Sequence, residues 1–281
     1  MIDVHVYSFP TELRNANAKL PDAEKNIVQA IYEHPEGPYA LSLSSPPAIK
    51  ESMKRAGITQ SVLVSMPWAT PELCKLNNDH VLEQTSKENC FFAFCSVQPS
   101  QKGWEAEAER VLEQGALGIK INPEWQGVAL NSPELDALAD FLVKKNALLM
   151  THIDQAYKKS TASPADLYTL AARHPNLKIV AAHMGGLLGL YSTYPPIAQG
   201  IQNVWFDTAV SATLPMIKWY VEAGLGHKII LGTDFPFNHS HSQEQVIQGI
   251  NQLNLDASTF EAIYKNNLFE LCGFNIPETS I

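Results

Sequence analysis

The chain has 281 residues, of which 45% are hydrophobic and 17% are charged. This composition indicates a globular protein with a large core and excludes a disordered chain. The net charge of −9 argues against a nucleic-acid-binding surface, which needs a basic stripe. Because the overall field does not attract anions, local positive groups would have to hold an anionic substrate.

The cysteines and the hydropathy pattern favour a cytoplasmic protein without a membrane partner. None of the four cysteines belongs to a C-x-x-C pair, so we interpret them as reduced thiols. The sequence contains no run of eighteen apolar residues, so no membrane span is predicted. The first predicted strand begins at residue 2, and no basic leader segment precedes it. A homodimer is left open.

The first part of the chain alternates apolar strands with helix signals. Gly57 is a predicted C-terminal helix cap, and Thr70 is the predicted N-cap of a later helix that has proline at its first position. In order, the predicted elements are strand 2–7, loop 8–45 with a helical patch at 23–32 and a Pro/Gly turn at 35–38, helix 46–55, strand 61–66, helix 71–87, strand 91–97, helix 104–114 and strand 117–121.

The second part continues the alternation. Ser132, Ser163 and Ser242 are predicted N-caps, and Ser242 opens a capping box with Gln245. In order, the predicted elements are a helix after Ser132, strand 147–152, a helix after Ser163, strands 179–183 and 204–207, helix 214–223, strand 229–233, a helix after Ser242 and helix 259–271.

Eight strands that alternate with helices predict a (β/α)8 TIM barrel, an α/β fold that needs ~250 residues. Several strands are uniformly apolar, as a parallel sheet covered on both faces requires. An open doubly wound sheet is the alternative, and it is disfavoured because no Gly-rich phosphate loop follows an early strand. Without a linker or a composition shift, we expect a single domain over residues 1–281.

Polar side chains follow the predicted strands where a barrel places its pocket. His5 and Tyr7 are two apart on one strand and share a face, so Val4 and Val6 are expected to point outward. Asp234 follows a buried strand and needs a partner or a cation, because bare burial costs several kcal/mol. Imidazole and carboxylate suit zinc, manganese or iron. The polar residues at or near predicted strand ends are His5, Tyr7, Lys120, His152, His183 and Asp234.

Four motifs in this order resemble the amidohydrolase superfamily, specifically its amidohydrolase-related (amidohydrolase 2) branch of metal-dependent TIM-barrel hydrolases. The resemblance implies one divalent metal, with zinc expected and manganese or iron as alternatives, held by His5, His152 and Asp234. It also implies that His183 is a further active-site histidine. The motifs are Asp3-x-His5, the fifth-strand His152, His183-Met184-Gly185-Gly186 and Gly232-Thr233-Asp234-Phe235-Pro236.

The resemblance implies hydrolysis of a small amide, ester or lactone. We expect Asp234 to take a proton from metal-bound water and pass it to the leaving group, while the metal and His183 stabilise the oxyanion. Lys120 or Tyr7 would hold a substrate carboxylate, and Trp125 would line the pocket. One sub-branch instead decarboxylates small aromatic or unsaturated acids, and that reaction is the alternative. A metal-free lactonase and a non-catalytic barrel are also left open.

Two positions depart from the family pattern. Tyr7 stands where the family usually has a second histidine, and a phenol with a pKa of ~10 is a poor ligand unless it is ionised. The decarboxylase sub-branch often lacks that histidine too, so its loss does not exclude a metal. Asn122 stands where many relatives have histidine. A carbamylated Lys120 that bridges two metals is disfavoured, because the partner histidine is missing.

The remaining polar candidates are given structural interpretations. Asp3 precedes the pocket and is expected to support the fold. His239 and His241 flank a serine in what is predicted to be a solvated loop, and His34 needs no function.

Overall fold

The computed structural model describes residues 1–154, 160–209 and 214–273. Its eight parallel strands form one sheet whose spatial order follows the chain. The predicted (β/α)8 barrel is therefore confirmed. The strands are β1 (Ile2–Tyr7), β2 (Gln60–Val64), β3 (Phe91–Ser96), β4 (Gly118–Ile121), β5 (Leu148–Thr151), β6 (Ile179–Ala181), β7 (Val204–Asp207) and β8 (Ile229–Ile230).

Backbone hydrogen bonds close the sheet into a barrel. The Val4 N–H donates to the Leu231 carbonyl at 2.9 Å, and the Tyr7 N–H donates to the Phe235 carbonyl at 2.8 Å. The chain that leaves β8 thus lies against β1, and the open-sheet alternative is wrong. β8 is shorter than predicted because the Gly232 N–H donates to the Thr208 hydroxyl and not to a neighbouring strand.

Helices connect the strands on the outside of the barrel, and none of those described combines the length and apolar character needed to cross a bilayer. Short 3-10 or π segments lie at Asp22–Glu24, Val28–Tyr32, His183–Thr193, Gly226–Lys228 and Ala262–Asn266. The α-helices are α1 (Lys25–Ile27), α2 (Gly37–Leu43), α3 (Pro46–Ala56), α4 (Pro71–Lys87), α5 (Trp104–Glu113), α6 (Pro123–Gln126), α7 (Pro133–Lys145), α8 (Pro164–Arg173), α9 (Pro195–Gly200), α10 (Leu214–Glu222), α11 (Gln243–Asn251), α12 (Ala257–Glu261) and α13 (Asn267–Cys272).

All four predicted N-cap positions are confirmed, and three of these residues cap the helix with their own side chain. The hydroxyls of Ser132, Ser163 and Ser242 each accept a backbone N–H of the first turn that follows. Thr70 is the N-cap residue of α4, but its hydroxyl makes no capping bond to the helix. The buried Glu24 carboxylate binds that end of the helix instead, and it accepts the Thr70 N–H at 2.9 Å.

The segment between β1 and α3 is more helical than predicted. The expected turn at 35–38 instead starts α2, whose second residue is Pro38, since proline suits the first turn of a helix. Ile31 and Leu41 are buried and pack into a core that also contains Val62. The segment therefore covers one side of the barrel mouth.

Alternation along the strands separates the barrel interior from the outer core. On β4, Ile119 and Ile121 pack in the outer core, so Lys120 points inward. Val4 packs with Met150 and Val180 in a core separate from that of Ile119 and Ile121, so its expected outward orientation is wrong. The register of β1 against β2 shifts between Asp3 and Val6, and such a bulge changes the direction of side chains.

Replacing Glu24 with Gln is expected to lower the free energy of unfolding by about 1–3 kcal/mol. The carboxylate accepts the Ala69 and Thr70 N–H groups with different oxygens, whereas the amide nitrogen of Gln can accept neither. Urea titration measures the change. Glu33→Gln, at an exposed position of the same segment, is the control. Equal effects of the two variants would contradict this role for Glu24.

Candidate active site

His5 is fully buried near the end of β1. Its Nδ1 lies 2.9 Å from Oδ2 of Asp207, a carboxylate at the end of β7 that only accepts hydrogen bonds when it is ionised. Nδ1 therefore carries the hydrogen, and Nε2 presents a lone pair. Burial lowers the pKa of His5 to about 4, with Lys120 lowering it further and Asp207 opposing both. The imidazole is neutral, which is the form that binds metals.

Three polar groups surround the Nε2 atom of His5. The Tyr7 hydroxyl lies 3.2 Å away, and Lys120 Nζ and Asp234 Oδ1 each lie 3.4 Å away. Burial raises the pKa of Tyr7 well above its usual range, so the phenol stays protonated and can donate a hydrogen bond. The structure thus brings residues from β1, β4 and the loop after β8 to one atom.

Asp234 lies in the left-handed region, with φ of 59°, immediately after β8. Burial raises the pKa of its carboxyl well above the usual value, and Lys120 opposes the rise. Asp3 holds this loop against β1, because its buried carboxylate accepts the Thr233 N–H at 3.0 Å and the Gln243 amide at 2.7 Å. That arrangement agrees with the structural role expected of Asp3.

His183 begins a strained turn after β6. Residues 183–187 all have φ between 54° and 79°, and each residue other than glycine costs ~1–2 kcal/mol there. Asp207 Oδ1 accepts the His183 N–H at 2.8 Å, and the Tyr220 hydroxyl donates to the Met184 carbonyl at 2.6 Å. A side chain at Gly185 would collide with the Phe206 ring. The turn sets the His183 ring 5.7 Å from that of His5.

His152 follows β5 and interacts with His183. Its Nδ1 lies 3.0 Å from His183 Nε2, and its Nε2 lies 3.3 Å from Asp154 Oδ1. Burial lowers the pKa of His183 well below its usual value, and the nearby His152, His5 and Lys120 lower it further. The His183 ring is therefore neutral. His183 Nδ1 is buried and has no hydrogen-bond partner among the described residues.

Asn122 and Trp125 form the wall beside His152. The Asn122 side chain accepts the Glu124 and Trp125 N–H groups and caps α6. The Trp125 ring stacks on His152, with centroids 6.4 Å apart and planes at 17°. Trp125 also borders the cavity described next.

A cavity of about 300 Å³ opens above this cluster, a size that suits a small molecule. His5 and Lys120 lie beneath its floor and do not line it. His239 is exposed and His241 is partly buried in the turn before Ser242, as expected of a solvated loop, and both also border the cavity. The lining residues are Tyr7, Ala30, Ile31, His34, Glu36, Gly37, Ala40, Asn122, Trp125, His152, His183, Asp234, Phe237, Asn238, His239 and His241.

The donor atoms fit a divalent metal along one edge of its coordination sphere. Two neighbouring ligands that bind a divalent ion at ~2.1 Å lie roughly 3.0 Å apart for octahedral and 3.4 Å for tetrahedral coordination, and His5 Nε2 and Asp234 Oδ1 lie 3.4 Å apart. The Asp207 bond to the opposite nitrogen of His5 is the usual support of a metal-binding histidine. The expected third ligand, His152, is engaged with His183 and Asp154. Within the described residues, no three acidic, histidine or cysteine side chains converge as a complete metal site.

Asp207 is the functional residue that the sequence analysis missed. It ends the predicted strand 204–207, as the other candidates end theirs, and it accepts hydrogen bonds from both His5 and His183. Its position at a strand end was the available signal. Nothing in the sequence marked it as a partner of two histidines that are far apart in the chain.

A family model described as "Amidohydrolase" matches residues 2–267. The chain belongs to this amidohydrolase family. The resemblance inferred from the strand-end motifs is thereby confirmed, and the family is one of enzymes. No curated protein sequence matches the chain.

Solved structures share the fold over nearly the whole chain. A 5-carboxyvanillate decarboxylase from Sphingomonas paucimobilis is 13% identical with a TM-score of 0.79, covering 98% of this chain and 99% of its own. Another such decarboxylase, from Novosphingobium aromaticivorans, is complexed with manganese and 4-hydroxy-3-methoxy-5-nitrobenzoic acid. It is 17% identical with a TM-score of 0.77, covering 97% of this chain and 96% of its own. A probable 2-pyrone-4,6-dicarboxylic acid hydrolase from Acinetobacter baumannii, with citric acid bound, is 18% identical with a TM-score of 0.65, covering 97% and 99%. At these identities the likeness shows the fold alone.

Replacing Asp207 with Asn is expected to lower the free energy of unfolding by about 1–3 kcal/mol. Asn has one accepting oxygen, so either His5 Nδ1 or the His183 N–H loses its partner. Urea titration measures the loss, and nitrogen NMR of the histidine rings reports the tautomer of His5. The control Asp22→Asn, at an exposed position, should change stability by less than ~0.5 kcal/mol. An unchanged His5 tautomer together with unchanged stability would contradict the role of Asp207.

Proposed function

We propose that this protein is a metal-dependent decarboxylase of a small hydroxylated aromatic or unsaturated carboxylic acid. The main support for this reaction is the Asp234 carboxyl, which has a raised pKa and lies at the floor of a small cavity with aromatic walls. Similar structures of decarboxylases that act on aromatic acids support this reaction over the hydrolysis expected first. The substrate is a small molecule; the cytoplasmic location and the homodimer remain predictions from the sequence.

His5, Asp234 and His152 are the residues that would hold the metal. When bound, the ion would act as a Lewis acid on the substrate carboxylate and an adjacent oxygen. The manganese in similar structures supports manganese ahead of the zinc expected from the resemblance. Asp207 supports the site by keeping the hydrogen on His5 Nδ1, which leaves Nε2 as the ligand atom.

Asp234 is the proposed general acid. Burial raises the pKa of its carboxyl well above the usual value, which favours the protonated form that donates. The proton moves from the Asp234 carboxyl to the ring carbon as the bond between that carbon and the carboxylate breaks. The electron pair of the broken bond stays on the ring carbon and accepts the proton, and CO₂ leaves.

The cavity residues orient the substrate in this proposal. His183 is neutral, and its Nδ1 has no hydrogen-bond partner among the described residues, so it can hydrogen-bond a substrate oxygen. Tyr7 lines the cavity and offers a phenol for the same purpose. Trp125, which stacks on His152, and Phe237, which contacts Tyr7 at 5.4 Å between centroids, provide faces for an aromatic ring. Lys120 would favour an anionic substrate through its charge from beneath the floor.

Hydrolysis of a lactone is the second candidate. The similarity to a probable pyrone dicarboxylic acid hydrolase favours it specifically. Asp234 would then accept a proton from the attacking water and pass it to the leaving alkoxide. The two reactions differ in their products, because decarboxylation releases CO₂ and lactone hydrolysis opens a ring without losing carbon.

Incubation with hydroxylated benzoates and Mn²⁺ is expected to release CO₂, measured with a coupled carboxylase assay. Asp234→Asn should lower kcat by roughly 10²–10⁴-fold with the fold intact, because the amide has no acidic proton to donate. The control Asp140→Asn changes an exposed aspartate and should retain wild-type activity. Full activity of Asp234→Asn, or ring opening of lactones without CO₂ from any acid, would refute the proposal.

Removal of divalent metal by dialysis against a chelator is expected to abolish CO₂ release, and added Mn²⁺ should restore it. The reason is that the chain supplies no other Lewis acid at the cavity floor in this proposal. Circular dichroism should show an intact fold after dialysis. Undiminished turnover of protein shown by elemental analysis to be metal-free would count against metal-dependent chemistry.

A further inference from the structure

Lys120 is a buried cation that the proposed reaction does not place in contact with the substrate. It is fully buried on the inward face of β4, and its Nζ lies 3.4 Å from His5 Nε2. Among the described residues, that nitrogen is its hydrogen-bond contact. The acidic groups of Asp207 and Asp234 also act on this amine inside the barrel. Lys120 thus shares the barrel interior with His5 and these two acidic side chains.

The lone pair that faces Lys120 is the one that a metal would need. Asp207 accepts the hydrogen of His5 Nδ1, so Nε2 is the accepting nitrogen. An N–H donor and a metal ion cannot occupy the same lone pair. Asp234, which would bind the metal together with His5, also faces the lysine charge. A divalent ion in this position would meet electrostatic repulsion from the ammonium.

We propose that Lys120 competes with the divalent cation for His5 Nε2 and Asp234, so that the site binds either the metal or the ammonium at that edge. This inference rests on the proposed function for the identity of its metal. It assigns Lys120 neither a bridging-ligand role nor direct contact with the substrate. Its consequence is that metal affinity is held below the value that His5, Asp234 and His152 would give alone, because binding must first displace an internal cation.

The test compares Mn²⁺ affinity of the wild type and of Lys120→Met by isothermal titration calorimetry, with no substrate present. The variant removes the competing charge and keeps an unbranched side chain. We expect Mn²⁺ to bind Lys120→Met at least about tenfold more tightly, a difference of ~1.4 kcal/mol. A structural or ligating role predicts the opposite sign, since loss of a metal ligand weakens binding.

Lys178→Met is the matched control, because that partly buried lysine precedes β6 at the opposite end of the barrel and donates to the Leu271 carbonyl. It should leave the Mn²⁺ affinity unchanged. If Lys120→Met does not fold, Lys120→Gln removes the same charge and should also bind Mn²⁺ more tightly. Unchanged or weaker binding in the folded variant overturns the inference, and so does the absence of Mn²⁺ binding in every protein. The test measures Mn²⁺ affinity and not activity. A tenfold gain in affinity would therefore support the competition by Lys120 even if the protein proved not to be a decarboxylase.

Discussion

The hydrogen bond between His5 Nδ1 and Asp207 Oδ2 is the interaction on which the site depends. It joins the first strand of the barrel to the seventh, and it determines which ring nitrogen of His5 carries the hydrogen. The other nitrogen then becomes the acceptor that Tyr7, Lys120 and Asp234 surround. The same carboxylate accepts the His183 N–H, so one buried group aligns two imidazoles that lie on different strands. A neutral amide at this position could not accept both bonds.

Several unfavourable features are concentrated at the carboxyl ends of the strands. Asp207 and Lys120 place charges in a barrel whose other inward residues are largely apolar, and isolated burial of either would cost several kcal/mol. Their proximity offsets much of that cost. His183 and Asp234 add left-handed backbone at the same level. Such strain persists where the surrounding packing holds it, and it often accompanies function.

The fold was predictable because its signals are local and repeat along the chain. Apolar strands, proline at the first helical position and serine caps recur, and they define the alternation without knowledge of any long-range contact. The errors arose where one element depends on a remote one. Glu24 replaces Thr70 as the partner of the α4 N-terminus, and the bulge in β1 turns Val4 inward. Neither effect is encoded near the residue that it changes.

The candidate site was predictable to the level of residues but not of contacts. Strand-end position was enough to select His5, His152, His183 and Asp234, because a parallel barrel brings such positions to one mouth. It could not reveal the bond between His152 and His183. Asp207 was equally visible at a strand end and was missed because a lone aspartate carries no motif. Whether Lys120 lines the cavity or lies beneath it depends on packing around the strand.

The central claim is that His5 Nε2 and Asp234 form one edge of a site for a divalent cation. Anomalous diffraction at the manganese absorption edge, from crystals of the protein grown with Mn²⁺, tests it most directly. The account predicts one strong peak within coordination distance of both His5 Nε2 and an Asp234 carboxylate oxygen. An intact barrel with no peak at that edge, or with manganese bound only elsewhere, would contradict it.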